Sequence, residues 1–152
     1  MKKKYRPNVA AILQNSQGEI LVAERCDIAG AWQFPQGGVD EGEGVSETLY
    51  REVEEELGLT PDCYTIKEHK SGYRYDFPGG RLKHGIYSGQ EQDYFLCAFS
   101  GKDSDINLET EHPEFSNFRW IQPKDFDLST VPEFKKSVFR DVFRDFFGVL
   151  LE

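Results

Sequence analysis

Residues Gly37 to Leu59 read GGVDEGEGVSETLYREVEEELGL, and the rest of the chain is read outward from them. A glycine turn runs into a helix expected over roughly Val45 to Leu57. Gly58 stands where a left-handed C-terminal residue is wanted, and Pro61 follows shortly. Successive helical residues advance about 100° around the axis. With Glu52 at zero, Glu55 falls at about −60° and Glu56 at about +40°, so three carboxylates share one face. Leu49, Tyr50, Val53 and Leu57 form the adjoining apolar stripe, while Glu47 and Glu54 point away. Like charges three and four residues apart destabilise a helix by roughly 0.2–0.5 kcal/mol per pair. Packed beside a buried stripe, they call for a positive charge, and a hard divalent cation takes oxygen ligands.

A Glu-rich helix face is commonly just solvated, so the spacing decides. From Gly37 it runs five residues to Glu43, then seven to Arg51-Glu52-Val53, then Glu55-Glu56, Gly58 and apolar Leu59. This is the pattern G-x5-E-x7-R-E-U-x-E-E-x-G-U, with U apolar and every fixed position filled. At roughly one in fifteen per fixed position, a chance match is below about one in a million, so the match outweighs the solvated-face reading. The chain resembles the Nudix hydrolases. That resemblance implies an α/β fold, a mixed curved sheet between helices in an α/β/α sandwich, and metal-assisted hydrolysis of a phosphoanhydride. It implies Glu52 and Glu56 as principal metal ligands and Glu55 as a ligand or water-orienting group. The Gly37 carbonyl is a further ligand, and Glu43 with Arg51 is a structural brace. Mg²⁺ is the implied ion, with Mn²⁺ as a substitute.

The remaining sequence supports one domain over residues 1–152. Hydrophobic residues make up 38% and aromatics 14%, a globular composition. A net charge of −9 argues against duplex DNA as a partner, which would require a basic footprint. Cys26, Cys63 and Cys97 have no zinc or disulfide spacing and read as buried free thiols. The apolar run Val9 to Leu13 is too short for a signal peptide, and nothing approaches a membrane span, which points to a cytoplasmic protein. Val9–Leu13 and Glu19–Arg25 are expected to form a hairpin across Asn15–Gly18. Pro35 is expected to end regular pairing. Further strands are expected within Ile66–Tyr75, Gln92–Phe99 and Ser116–Ile121. Phe77–Gly85 is a basic, glycine-rich loop of the kind that carries function. From Pro132, Phe134, Val138, Phe139, Val142, Phe143, Phe146 and Phe147 recur with helical period and predict a core-facing helix.

A second, closer resemblance covers nearly the whole chain. Tyr5-Arg6-Pro7-Asn8-Val9, Trp32 to Gly38, Tyr75-Asp76-Phe77-Pro78, Gly89-Gln90-Glu91-Gln92, Pro113-Glu114-Phe115 and Phe134-Lys135-Lys136 occur in order. They are similar to the subgroup of bacterial RNA pyrophosphohydrolases and asymmetrical diadenosine tetraphosphate hydrolases. The resemblance implies Glu114 as a further catalytic and metal-centre carboxylate. It associates Arg6 and Arg25 with phosphate and RNA-end contacts, and Phe134 with Lys135 as a base-stacking and phosphate-contacting pair. Tyr75 is expected as a second stacking surface. The substrate is then a 5′-polyphosphate RNA end or a dinucleoside polyphosphate. Acidic Glu91 and Asp93 lean away from a long RNA track, while Tyr5–Val9 and Trp32–Gly38 lean towards RNA. A nucleoside triphosphate pool sanitiser and a non-catalytic nucleotide-binding module are the lower-ranked readings. The choice of general base, the metal count, base preference, oligomeric state and any activating partner stay open at this level.

Overall fold

The computed structural model describes residues 2–152. Its elements are β1 (Tyr5–Gln14), β2 (Ile20–Arg25), β3 (Trp32–Gln33), β4 (Gln36–Gly38), α1 (Val45–Leu57), β5 (Tyr64–Asp76), β6 (Gly89–Phe99), β7 (Phe115–Ile121) and α2 (Lys136–Phe147). The sheet runs β3-β2-β1-β6-β5, with β4 also on β1 and β7 also on β2. β1 and β6 are parallel and the other pairs antiparallel, so the sheet is mixed.

Strand alternation sends successive side chains to opposite faces, and β1 uses both. Val9, Ala11 and Leu13 pack with Leu49, Val53 and Leu57 of α1. Ala10 and Ile12 pack with Val138, Phe139, Val142 and Phe143 of α2. Two apolar layers therefore flank one sheet, and each fully buried Leu or Val contributes about 1.5–3 kcal/mol. The first and last helices are thereby held on opposite sides.

Three local expectations change. The β1–β2 hairpin is paired only at its mouth, Gln14 against Ile20. Beyond that point β1 takes β6 and β4 as partners, and β2 takes β7 and β3. Pro35 does not end the pairing: its carbonyl accepts a 2.9 Å bond from the Ala11 amide, and β4 resumes at the next residue. Proline lacks only the donor, and its acceptor remains available. Of the three thiols, Cys97 is buried, Cys63 half-buried and Cys26 exposed.

β5 is the long edge strand. Its register shifts between Lys70 and Tyr73, where Gly72 takes φ 90°. At its far end Asp76 faces Gly89. A methyl group on Gly89 would overlap the Tyr75 carbonyl oxygen and crowd the Asp76 Cα. Both are backbone atoms in a paired strand and cannot swing aside. Gly89→Ala is expected to cost about 1–3 kcal/mol, read as a lower urea midpoint at unchanged m-value.

Candidate active site

α1 has a β-region residue, Gly44, before its first turn and Gly58 in the left-handed conformation after its last. Thr48 Oγ1 donates to the Gly44 carbonyl and to Glu43 Oε1. These contacts fix where the helix starts, and so which residues face the cavity beside it.

Arg51 organises the acidic face. Its Nε and Nη2 donate to the two oxygens of Glu43 at 2.8 and 2.9 Å. Nη2 also reaches the Gly38 carbonyl at 3.0 Å, and Nη1 reaches Glu52 Oε1 at 2.7 Å. A longer contact of 3.4 Å runs to Glu55. One guanidinium thus ties the loop carboxylate, the glycine turn and the helix face together, a use of its planar fork of donors. These contacts hold the Glu43 carboxyl well below the usual range, at about 2.

The three helix carboxylates are not equivalent. Glu55 is exposed, with 57% of its side chain accessible, whereas Glu52 is at 13%. Glu56 is buried, and its Oε2 accepts one hydrogen bond, at 3.2 Å from the Gln36 amide. Burial, then the charge of Glu52, pushes the Glu56 carboxyl up to about 9. Burial also raises Glu52, although Arg51 opposes it. Beneath Glu56 lies a polar relay in which Gln92 Nε2 donates to Asn8 Oδ1 and to Gln36 Oε1, both at 2.9 Å. The β4 segment that supplies Gln36 and Gly37 is anchored through Phe34. That ring lies against Phe126, Phe139 and Phe143 with centroids 5.9–6.2 Å apart. Core aromatics from α2 therefore set the position of the turn facing α1.

A groove of about 860 Å³ collects these groups. Its lining includes Gly37, Glu52, Glu55, Glu56 and Glu114, which lies just before β7. Arg6, Arg25, Tyr75, Phe134 and Lys135 line the same groove. Every candidate site residue is therefore in one place except Glu43 and Arg51, which stand behind it. Among the described residues, no three His, Cys, Asp or Glu side chains are arranged to hold a metal as they stand, and Glu52 is turned towards Arg51. The donor set nevertheless fits a hard cation. It offers only oxygens, and its most buried carboxyl is forced to keep a proton where a positive charge would otherwise ionise it.

One expectation for the substrate side needs correction. Tyr75 is only 5% exposed. Its hydroxyl is held by Gln90 Nε2 at 2.8 Å, and its ring packs edge-on against Phe134 at 5.6 Å. No open face is left on which a base could stack, because the ring belongs to the α2-side core. Arg25 lines the groove as expected and is also paired with Asp27 through two bonds of 2.9 and 2.5 Å. Phe134 is half-buried, and the Lys135 ammonium lies 5.5 Å from the Tyr75 centroid and 5.7 Å from that of Phe134. Burial, followed by neighbouring cations, brings Lys135 down to about 8.

The sequence reading left out other groove residues: Gln36, Gln90, Arg81 and Lys83. The last two come from the basic loop after Phe77, whose composition was the signal. Gln90 is buried, and among the described residues its Oε1 has no partner. Nothing in local sequence distinguishes such an amide from a surface one.

Comparison with known proteins places this geometry. The NUDIX domain family matches residues 4–142. The RNA pyrophosphohydrolase of Roseobacter denitrificans is 45% identical over 89% of this chain and 87% of its own length. That of Helicobacter pylori strain P12 is 45% identical over 93% of both. The Wolbachia pipientis protein of the same name is 41% identical over 98% and 93%. Among solved structures, a Caenorhabditis elegans Ap4A hydrolase superposes with a TM-score of 0.68 at 22% identity, covering 94% of this chain and 98% of that one. The MutT protein of Methanosarcina mazei gives 0.60 at 22%, covering 95% and 96%. At those identities the structural likeness speaks for the fold alone.

Proposed function

The chain belongs to the Nudix hydrolase family, and we propose that it converts 5′-triphosphorylated RNA ends to 5′-monophosphates, using Mg²⁺ or Mn²⁺. The carrying observation is the single groove whose lining combines four carboxylates with cationic and aromatic side chains. Relatives that share over 40% of their residues across nearly the whole chain bear the name of this activity. Residues 1–152 act in this reading as one catalytic domain in the cytoplasm. Among the described residues no helix is long and apolar enough to cross a membrane.

Glu52, Glu55, Glu56, Glu114 and the Gly37 carbonyl are the groups that would hold the divalent ion. When bound, such an ion neutralises phosphate charge and acidifies coordinated water. The chain's own groups do the rest. Arg51 keeps Glu52 on the groove side of the helix, and the Gln36 amide fixes Glu56. Arg6 and Lys135 take phosphate oxygens, each as a charge-assisted hydrogen bond. Phe134 stacks the first base, worth about 1–3 kcal/mol. Water adds to the α-phosphorus, the α–β anhydride P–O bond breaks, and the bridging oxygen leaves on pyrophosphate. Release as phosphate takes two successive hydrolyses, the first of which leaves a 5′-diphosphate end. The proton lost by the water passes to a groove carboxylate, for which Glu52, Glu55 and Glu114 are the candidates.

The competing reading is asymmetrical cleavage of diadenosine tetraphosphate to ATP and AMP. The buried Tyr75 weakens it, since that ring offers a second adenine no free face. One experiment separates the readings. kcat/KM is measured for a triphosphorylated RNA of a few nucleotides, for diadenosine tetraphosphate and for nucleoside triphosphates in one buffer with one metal. RNA is expected to lead, and a chelator to abolish turnover of all three. A lead for the mononucleotides would overturn the RNA assignment, and chelator-resistant activity would overturn the metal centre.

The Lys135 ammonium adds a pH signature. Its lowered proton affinity leaves it charged below about pH 8 and neutral above. KM for RNA is expected to climb as pH rises through 8, while Lys135→Arg keeps KM flat to higher pH. A rise identical in both proteins would assign the effect elsewhere.

A further inference from the structure

We propose that Arg81 and Lys83, on the loop joining β5 to β6, bind phosphate groups of the substrate and determine the enzyme's affinity for it. The inference rests on the phosphoanhydride reading above and adds two residues to the substrate side of the same groove.

The loop is built to present them. Lys83 pairs with Tyr87 as an isolated antiparallel bridge, and both the Ile86 and Tyr87 amides donate to the Lys83 carbonyl. His84 and Gly85 make the turn with φ of 53° and 72°. His84 is the only non-glycine residue with positive φ among those described, a conformation ordinarily left to glycine. The base of the loop is closed by the Phe77 amide on the Ser88 carbonyl and the Ser88 amide on the Lys4 carbonyl. The Arg81 guanidinium rests 5.1 Å from the Phe77 ring centroid. Arg81 and Lys83 line the groove, while Leu82 between them does not and stays 51% exposed.

Charge makes the case for an anion. Among the described residues Arg6, Arg81, Lys83 and Lys135 take part in none of the ion pairs, and all four line the groove. Acidic residues outnumber basic ones by 27 to 18, so partners for cations are plentiful. Other cations of the chain are unpaired as well, and what sets these four apart is that they share one groove. They also feel one another. Burial and then Arg6 and Arg81 lower Lys83, and burial, then Arg25, Lys83 and Arg81, lowers Lys135. Such a concave cluster concentrates positive potential and draws a polyanion. Its geometry is an arc. Arg6 lies against Gly38, next to the Gly37 turn that abuts Glu52. Lys83 and Arg81 carry the charge onward to Lys135, beside Phe134. A phosphate chain with its scissile bond at the carboxylates and its base on Phe134 would lie along that arc. The same chemistry is offered by the polyphosphate of a 5′ end and by the first internucleotide phosphates of RNA.

The test uses the full chain and the variants Lys83→Met, Arg81→Met and the double, with Lys83→Arg as the conservative control. The loop's bridge is made by backbone atoms, so melting temperatures should change little. Inorganic tripolyphosphate binding, followed by calorimetry without metal, should weaken at least about tenfold in the double variant. Unchanged binding would exclude the 5′-polyphosphate as the ligand of the pair, and unchanged binding together with unchanged KM on both RNA substrates would overturn the proposal. Turnover is then compared on a triphosphorylated dinucleotide and on a ten-nucleotide RNA. KM should rise about tenfold in each single variant with kcat little changed. The slope of log kcat/KM against log salt should shrink by about 0.7 per charge removed, and Lys83→Arg should restore both. Loss on both substrates assigns the pair to the polyphosphate, and loss on the longer RNA alone assigns it to the internucleotide phosphates. If the parent enzyme turns over RNA while KM and salt slope stay unchanged in all variants, the pair is not a phosphate site although the functional reading survives. If the parent fails on RNA while tripolyphosphate binding is weakened in the double variant, the functional reading falls and the anion site stands.

Discussion

Glu56→Gln is expected to lose turnover by about a thousandfold or more, yet to melt at a higher temperature than the parent in the absence of metal at pH 8. The first effect follows from removing an anionic oxygen donor from the carboxylates of the groove. Metal stabilisation of transition-state charge is worth several kcal/mol, and about 4 kcal/mol is three powers of ten in rate. The second effect comes from linkage. The folded-state pKa of Glu56 is raised to about 9 from an ordinary value of 4.5. Between those values the folded protein binds a proton that the unfolded chain has released. Stability contributed by that proton is full below about pH 4.5 and declines as pH rises towards 9, by up to about 1.4 kcal/mol per pH unit. Glutamine keeps the shape and cannot ionise, so the variant escapes this loss. Melting temperatures of both proteins in chelator from pH 5 to pH 9 check it, with the curves diverging as pH rises. Parallel curves would mean that Glu56 is ionised in the metal-free fold. Turnover within tenfold of the parent would remove Glu56 from the metal set.

Gly37→Ala is expected to leave the fold intact and cut kcat about a hundredfold. A Cβ at Gly37 would overlap the Glu52 carboxyl group. Gly37 has no positive φ, so alanine strains no backbone there. What must give way is the far end of a flexible side chain, which swings out at little cost to stability. The carboxylate then leaves the Arg51 contact and the groove, and a displacement of about 1 Å at a reacting centre can cost a hundredfold in rate. Circular dichroism and a urea titration close to the parent, together with the loss of kcat, distinguish this outcome from unfolding. Full activity would show that the glycine is not needed for close approach to Glu52. A large loss of stability would place the clash in the backbone instead.

The contrast between Gly37 and Gly89 shows how legibility varies along the chain. Both glycines lie in motifs that the sequence displays. Whether a methyl group meets a carboxylate or a backbone carbonyl depends on what packs opposite, and no local pattern reports that. The helix over Val45–Leu57 was legible because its glycine boundaries and 3.6-residue period are local properties. The α2 stripe was legible for the same reason. The partner choice of β1 was not, since pairing with β6 joins residues about 84 positions apart, and short-range turn chemistry favours β2. Tyr75 was misjudged because an aromatic residue in a strand looks the same whether its ring faces a groove or a helix.

By itself, the sequence determined the chemistry available. The spacing from Gly37 to Leu59 specifies which carboxylates share a helix face and which arginine reaches them, because helix geometry is the same wherever a helix sits. Tertiary structure alone decided how those carboxylates differ. Gln36, Phe34 and the core beneath them bury Glu56 and leave Glu55 in water, and burial is what makes Glu56 retain its proton. It also brought Arg6, Arg81, Lys83 and Lys135 from three distant segments to one groove. Charge acts through space rather than along the chain, so that concentration of cations exists only once the sheet has closed.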